Sequence, residues 1–156
     1  MNYKTNVMRI LDTNNINYQK YDYSKTNAVS GLDVATILNE DPNKVFKTIV
    51  TISNNNNYYV FMLPVNKELD FKKCAQAVNE KSISMLKSSN LLSLTGYIHG
   101  GCSPIGMKHF FPTVIDSTAK NFPTIIFSAG KIGYQVELSL LDLAKVIKYN
   151  LSDITN

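Results

Sequence analysis

The fold of this chain is decided by residues 45–65, which read VFKTIVTISNNNNYYVFMLPV. Val45 to Ser53 and Tyr58 to Val65 are rich in β-branched and aromatic residues, which favour strands. The four asparagines between these runs tolerate left-handed backbone conformations and are typical of a tight loop. The sequence therefore predicts an antiparallel hairpin here.

Helical and strand patterns continue on both sides of the hairpin. Helices are predicted at residues 3–14, 31–38, 70–79, 87–94 and 140–148, and further strands at 16–23, 83–85, 111–116, 124–128 and 134–138. Ser139 is expected to cap the last helix, with Asp142 three residues later. The mixture predicts a single α+β domain over residues 1–156, with a curled, mostly antiparallel sheet.

Composition indicates a globular protein with a modest positive charge. Hydrophobic residues make up 44% and charged residues 18% of the chain, so disorder is disfavoured. The net charge is +4, but Arg9 is the only arginine. Reading of bases usually recruits arginine, so DNA is not expected as a partner. Contact of scattered lysines with a phosphate backbone stays open, as does a merely solvated lysine-rich surface.

Membrane and export signals are not found. The longest apolar run, residues 58–65, is too short to span a bilayer. The first residues have no charged-then-apolar layout typical of a signal peptide. We therefore expect a cytoplasmic protein without a membrane partner.

A glycine-rich segment is the strongest candidate for a binding loop. Four of the seven glycines fall between Gly96 and Gly106, in the run GYIHGGCSPIG. Glycine permits close approach of the backbone to a ligand, and Pro104 stiffens the turn. The run predicts either a shaped recognition surface or a tight connection between strands.

Lys47 is the charge of greatest interest, because it lies within an otherwise apolar strand. A lysine there either extends along the surface to reach water or points into a pocket. In a pocket it would bind an anion or polarise an ester carbonyl. The strand pattern alone leaves both possibilities open.

Familiar catalytic arrangements are not evident. Cys74 lies on an apolar helix face, which is typical of core packing. His99, Cys102 and His109 lack a second ligand pair with zinc-site spacing, so no metal is expected. Neither Ser103 nor Ser128 has a histidine placed by sequence as its base, so a catalytic triad is not expected.

The chain resembles the YbaK/EbsC family, free-standing relatives of the editing domain of bacterial prolyl-tRNA synthetase. The resemblance rests on residues 96–106 followed by Phe111-Pro112-Thr113 and Ile115-Asp116, and on Ser128-Ala129-Gly130-Lys131, Gly133, Glu137-Leu138 and Asp142-Leu143. Upstream, Val45-Phe46-Lys47-Thr48 and Tyr23 match the family's lysine-threonine strand and its tyrosine. The resemblance covers nearly the whole chain and implies a mixed, barrel-like sheet with flanking helices.

This resemblance implies a trans-editing deacylase that cleaves mischarged tRNA, most of all cysteine esterified to proline tRNA. It implies the acceptor end of tRNA and prolyl-tRNA synthetase as partners, with no cofactor and no metal. Lys47 and Gly101 are the implied catalytic positions. The implied substrate contacts are Tyr23, Thr48, Gly100, Ser103, Pro104, Ser128, Gly130 and Gln135.

The family mechanism needs no protein nucleophile, because the thiol of the cysteine substrate attacks its own carbonyl. The protein then supplies orientation, through Lys47 and backbone groups of Gly100 and Gly101. Two positions depart from the family. Gln135 stands where many members carry an aspartate, and Ser30 where some carry an aromatic residue. Cys102 stands where an aliphatic residue is common and is not assigned a catalytic role.

Three other functions remain open at the level of sequence. The first is a deacylase specific for alanine or serine, which an assay of hydrolysis with each ester would distinguish. The second is a module that binds tRNA or a synthetase without catalysis. The third is a binder of small nucleotides that uses the glycine-rich segment.

Overall fold

The computed structural model describes residues 3–156, which contain five α-helices and eight β-strands. The helices are α1 (Asn6–Thr13), α2 (Gly31–Ile37), α3 (Phe71–Ala77), α4 (Leu91–Thr95) and α5 (Leu140–Leu143). The strands are β1 (Gln19–Asp22), β2 (Phe46–Ser53), β3 (Tyr58–Pro64), β4 (Ile83–Met85), β5 (Thr113–Asp116), β6 (Ile125–Ser128), β7 (Tyr134–Leu138) and β8 (Asn150–Ser152). Short 3₁₀ helices span Ser88–Asn90 and Ser117–Asn121.

The strands form two sheets, ordered β1–β7–β6 and β4–β2–β3–β5–β8. The pairs β3–β5 and β5–β8 are parallel and the other four are antiparallel, which confirms the predicted mixed, mostly antiparallel arrangement. An isolated parallel bridge between Val45 and Ile126 joins the sheets. Within residues 3–156 no continuous ladder closes the strands into a barrel.

The predicted hairpin of β2 and β3 is confirmed. Thr48 lies opposite Met62 and Val50 opposite Val60 in its register. Asn56 adopts a φ of 62°, the left-handed conformation that asparagine tolerates better than most residues. Ser53 Oγ accepts hydrogen bonds from two backbone N–H groups of the asparagine loop, which fixes the turn.

The core follows from the alternation of side chains along these strands. Val60 and Met62 join the largest apolar cluster, which also contains side chains from the other sheet and from α1. Phe61 and Leu63 point to the opposite face and pack with Cys74 of α3. Complete burial of one such side chain stabilises the fold by about 2 kcal/mol. Cys74 is thus core packing, as its place on the helix predicts.

Two features near the C-terminal end of the chain differ from expectation. The last helix ends at Leu143 rather than Lys148, although Ser139 caps it as predicted by accepting from Asp142 N. Strand β8 follows, and the sequence pattern does not reveal it. No helix in residues 3–156 has the length and apolar character needed to cross a membrane.

Candidate active site

A cavity of about 520 Å³ opens beside β2. Its walls come from β2, the first half of α2, the segment from β4 to α4, three residues of the glycine-rich segment, and the facing parts of β6 and β7. The three residues are His99, Gly100 and Cys102. The volume lies within the range usual for small-molecule sites. Most of the lining is apolar, so each polar group in it has a large influence on what binds.

Six of the predicted site residues line this cavity: Tyr23, Lys47, Thr48, Gly100, Ser128 and Gln135. The other four, Gly101, Ser103, Pro104 and Gly130, are not among its lining residues. Ser103 is fully buried and its Oγ accepts from Ile105 N at 3.3 Å, so this hydroxyl orders the glycine-rich segment. A Cβ at position 130 would lie 2.9 Å from the Tyr97 ring, so Gly130 is required for packing.

Lys47 supplies the ammonium group of the cavity. Its side chain is 30% exposed, and Nζ lies 4.0 Å from Glu68 Oε1. The Glu68 side chain is 83% exposed, so this long contact contributes little to stability. The Lys47 ammonium is therefore available to an anionic or developing negative group in the cavity.

Thr48 adds a hydroxyl that the protein leaves without a partner. Thr48 lines the cavity, and its Oγ1 is buried and has no hydrogen-bond partner within residues 3–156. Buried polar atoms nearly always have a partner, and an orphaned one loses its hydration without compensation.

Gly100 lines the cavity and Gly101 follows directly behind it. Gly100 has a φ of +87°, which side-chain-bearing residues rarely adopt, and a Cβ there would lie 3.0 Å from Val29. A Cβ on Gly101 would lie 3.1 Å from Ile132 N, a backbone atom that cannot easily move. Glycine at these positions thus allows two backbone segments to pack closely behind the cavity.

The serine and cysteine side chains of the cavity are not activated nucleophiles. Ser30 Oγ caps α2 by accepting from Asp33 N, and Ser128 Oγ accepts from Gly130 N. Burial raises the pKa of the Cys102 thiol to about 12, so this thiol stays protonated at neutral pH. In residues 3–156 no group of three or more His, Cys, Asp or Glu is arranged to hold a metal ion.

Gln135 brings a charged group close to the cavity. It is 4% exposed on β7, and its amide nitrogen, oriented toward Glu40, donates to Oε2 at 2.8 Å and Oε1 at 3.2 Å. Burial raises the pKa of Glu40 to about 7. The sequence analysis missed Glu40. The only local signal is the left-handed Asn39 after α2, which predicts a turn but not its destination.

Comparison with known proteins identifies the family. A family model described as an aminoacyl-tRNA editing domain matches residues 26–146. The chain belongs to the aminoacyl-tRNA editing domain family. It is 39% identical over 153 residues to an Enterococcus faecalis protein provisionally named Cys-tRNA(Pro)/Cys-tRNA(Cys) deacylase EbsC, covering 97% of this chain and 93% of that protein.

More distant members extend the comparison. The chain is 24% identical to proline–tRNA ligase of Lactobacillus helveticus over 109 residues, which is 70% of this chain but 19% of the ligase. It superposes with a TM-score of 0.82 on the crystal structure of a protein described as a trans-editing enzyme for prolyl-tRNA synthetase. That pair is 16% identical and covers 99% of both chains, so it shows the fold. The resemblance to the YbaK/EbsC family is confirmed.

Proposed function

We propose that this protein is a trans-editing deacylase that releases cysteine from mischarged proline tRNA in the cytoplasm. The observation that carries the proposal is the Lys47 ammonium, which belongs to a mostly apolar cavity and has only a long contact with the exposed Glu68. An aminoacyl ester offers both a carbonyl that develops negative charge and hydroxyl groups that hydrogen-bond. Family membership and the 39% identical relative support this choice of substrate class.

The proposed chemistry uses the substrate's own sulfur as the nucleophile. The cysteine thiol attacks the ester carbonyl carbon, so a C–S bond forms and the bond to the terminal ribose oxygen breaks. The thiol proton ends on that ribose oxygen, which leaves a free tRNA end and a cyclic cysteine thiolactone. Water then opens the thiolactone to cysteine. This route fits a cavity whose own cysteine, Cys102, stays protonated and whose Ser30 and Ser128 hydroxyls accept backbone hydrogen bonds.

The protein's part in this route is orientation and charge. Lys47 stabilises the negative charge that develops on the carbonyl oxygen, and Thr48 Oγ1 hydrogen-bonds the substrate. Gly100 forms part of the wall against which the cysteinyl group packs, and Gly101 lets the backbone behind it pack closely. Correct orientation of an intramolecular reaction is worth about 7 to 11 kcal/mol, which exceeds the effect of one added charge.

Deacylation of three esters of proline tRNA tests the proposal. Ser-tRNA is the matched control for Cys-tRNA, because the side chains differ only in oxygen for sulfur, and Ala-tRNA lacks a nucleophile. We expect cysteine to be released faster than serine or alanine by on the order of a hundredfold, with thiolactone detectable by mass spectrometry.

The same assay separates the alternatives. Equal release of alanine would show that water attacks the ester, and cyclisation would then be wrong. Binding of tRNA without release of any amino acid would indicate a module without catalysis. Repeating the assay with prolyl-tRNA synthetase tests that partner, since a net charge of +4 favours only weak binding of tRNA by the chain alone.

A further inference from the structure

Glu40 lies behind the cavity wall and is bonded to a residue that lines the cavity. The Gln135 amide nitrogen donates to both of its carboxylate oxygens, at 2.8 and 3.2 Å. Gln135 lines the cavity, whereas Glu40 does not. The Gln135 amide thus lies between the Glu40 carboxylate and the space that a ligand would occupy.

The carboxylate of Glu40 also lacks a cation of its own. Lys44 is the nearby ammonium, and its Nζ lies 2.8 Å from Glu137 Oε2. Tyr21 and Thr124 also donate to Glu137, so Lys44 belongs to a hydrogen-bonded group centred on Glu137. Glu40 therefore faces Lys44 and Tyr21 only at longer range, and another acid, Glu137, stands close by.

The hydrogen bond from Gln135 fixes which end of its amide faces the cavity. An ionised carboxylate only accepts, so it holds the NH₂ end of the amide toward Glu40. The carbonyl end remains for the cavity, with the Glu40 charge behind it. An acceptor oxygen backed by a negative charge attracts a cationic donor and disfavours an anion.

We propose that Glu40 is a positioning residue that orients Gln135 and supplies the negative charge by which the cavity recognises the α-ammonium group of an aminoacyl ester. This inference rests on the proposed function and adds to it the origin of amine selectivity. Gln135 carries no charge, so the Glu40 carboxylate behind it supplies the negative charge. Lys47 then meets the ester end of the substrate and Glu40 acts on its amino end.

Binding of two stable probes tests this inference. Each is an adenosine whose 3′-oxygen is replaced by nitrogen, so that cysteine is held in an amide that cannot cyclise away. One probe has a free α-amine and the other is N-acetylated. At pH 7.5 we expect the protein to bind the free-amine probe tighter by about tenfold, measured by calorimetry.

Three variants test whether Glu40 is the source of the preference for the free-amine probe. Glu40→Gln should abolish the preference by weakening the free-amine probe alone. The exchange of both side chains, Glu40→Gln with Gln135→Glu, keeps the charge and the paired hydrogen bond and should restore the preference. Glu68→Gln is the matched control, because it removes an exposed carboxylate near Lys47 and should leave the preference intact.

The outcomes separate this inference from the proposed function. Equal binding of both probes by the unaltered protein would overturn the role of Glu40 while the aminoacyl substrate stands. Binding of neither probe would overturn the proposed substrate itself, and the inference with it. Equal weakening of both probes by Glu40→Gln would show a merely structural carboxylate and would also overturn the inference.

Discussion

Among the described residues that line the cavity, Lys47 is the one with an ammonium group. Its surroundings leave that charge free to act on a ligand. The contact with Glu68 is long, and Glu68 is mostly in water. The neighbouring Thr48 Oγ1 is buried without a partner. The unpaired hydroxyl is a cost to the folded protein, whereas the partly exposed ammonium is available to a ligand.

Replacement of Lys47 by alanine should remove catalysis and keep the fold. The side chain is 30% exposed and its ion pair is weak, so thermal unfolding should change little. The rate of release of cysteine should fall by about 10² to 10³, as on loss of one charge-stabilising group.

Lys67→Ala is a matched control for this variant. Lys67 is an exposed lysine close in sequence that does not line the cavity, so its loss should leave the rate unchanged. A folded Lys47→Ala protein with full activity would show that the ammonium takes no part in the reaction.

At the scale of elements, the short helices α2 and α5 have the same kind of N-terminal cap, but they lie in different parts of the fold. Ser30 Oγ caps α2 by accepting from Asp33 N at 3.1 Å, and Ser139 Oγ caps α5 by accepting from Asp142 N at the same distance. The first half of α2 lines the cavity, whereas α5 does not. Variants of these two serines therefore distinguish the loss of helix stability from an effect on the cavity.

Ser30→Ala and Ser139→Ala should each cost about 1 kcal/mol of unfolding free energy, because each leaves a helix N–H unpaired. Only Ser30→Ala should also raise the KM for aminoacylated tRNA, by a fewfold, because a frayed α2 loosens the cavity wall. Chemical denaturation and steady-state kinetics on both variants measure the two effects. An equal rise in KM for both would mean that loss of stability alone explains it.

Local patterns predict the elements well where the partner is near in sequence. The hairpin of β2 and β3 follows from its asparagine loop, and the Ser139 cap follows from its spacing. Strand β8 is missed because it has three residues, one of them apolar, and pairs in parallel with β5 far back in the chain. The predicted continuation of α5 to Lys148 fails for a related reason, since this segment turns toward β8 instead.

At the scale of the whole molecule, the cavity collects residues from segments far apart along the chain. Motif resemblance identifies Lys47 and Gly100 beforehand, because each sits in a recognisable run of residues. Glu40 has no such run, and its role depends on the contact between the turn after α2 and Gln135 of β7. Pairs that meet only through tertiary structure are thus the part of the site that the sequence does not reveal.

The pH dependence of folding should report this tertiary pair. Burial raises the pKa of Glu40 to about 7 from an ordinary value of 4.5, so the folded protein holds this proton more tightly than the unfolded chain. Stability should therefore fall as pH rises from 4.5 through 7. For this partly exposed group we expect a loss of about 1 to 2 kcal/mol after allowance for solvent screening.

Glu40→Gln should remove this loss and be the more stable protein at pH 8, with a smaller advantage at pH 5. Urea denaturation of both proteins at the two pH values measures the difference. Glu68→Gln, which changes an exposed carboxylate, should show no such difference between pH values. A Glu40→Gln advantage that is the same at both pH values would contradict the raised pKa.

The buried thiol of Cys102 lines the cavity in which we propose that a cysteinyl ester binds. Thiol–disulfide exchange requires a thiolate, and a pKa of about 12 leaves Cys102 almost wholly protonated in a neutral cell. Cystine entering the pocket would thus exchange with it only slowly to give a mixed disulfide and free cysteine. The enzyme should keep working in oxidising conditions that would inactivate a protein with an ordinary cysteine at the same place.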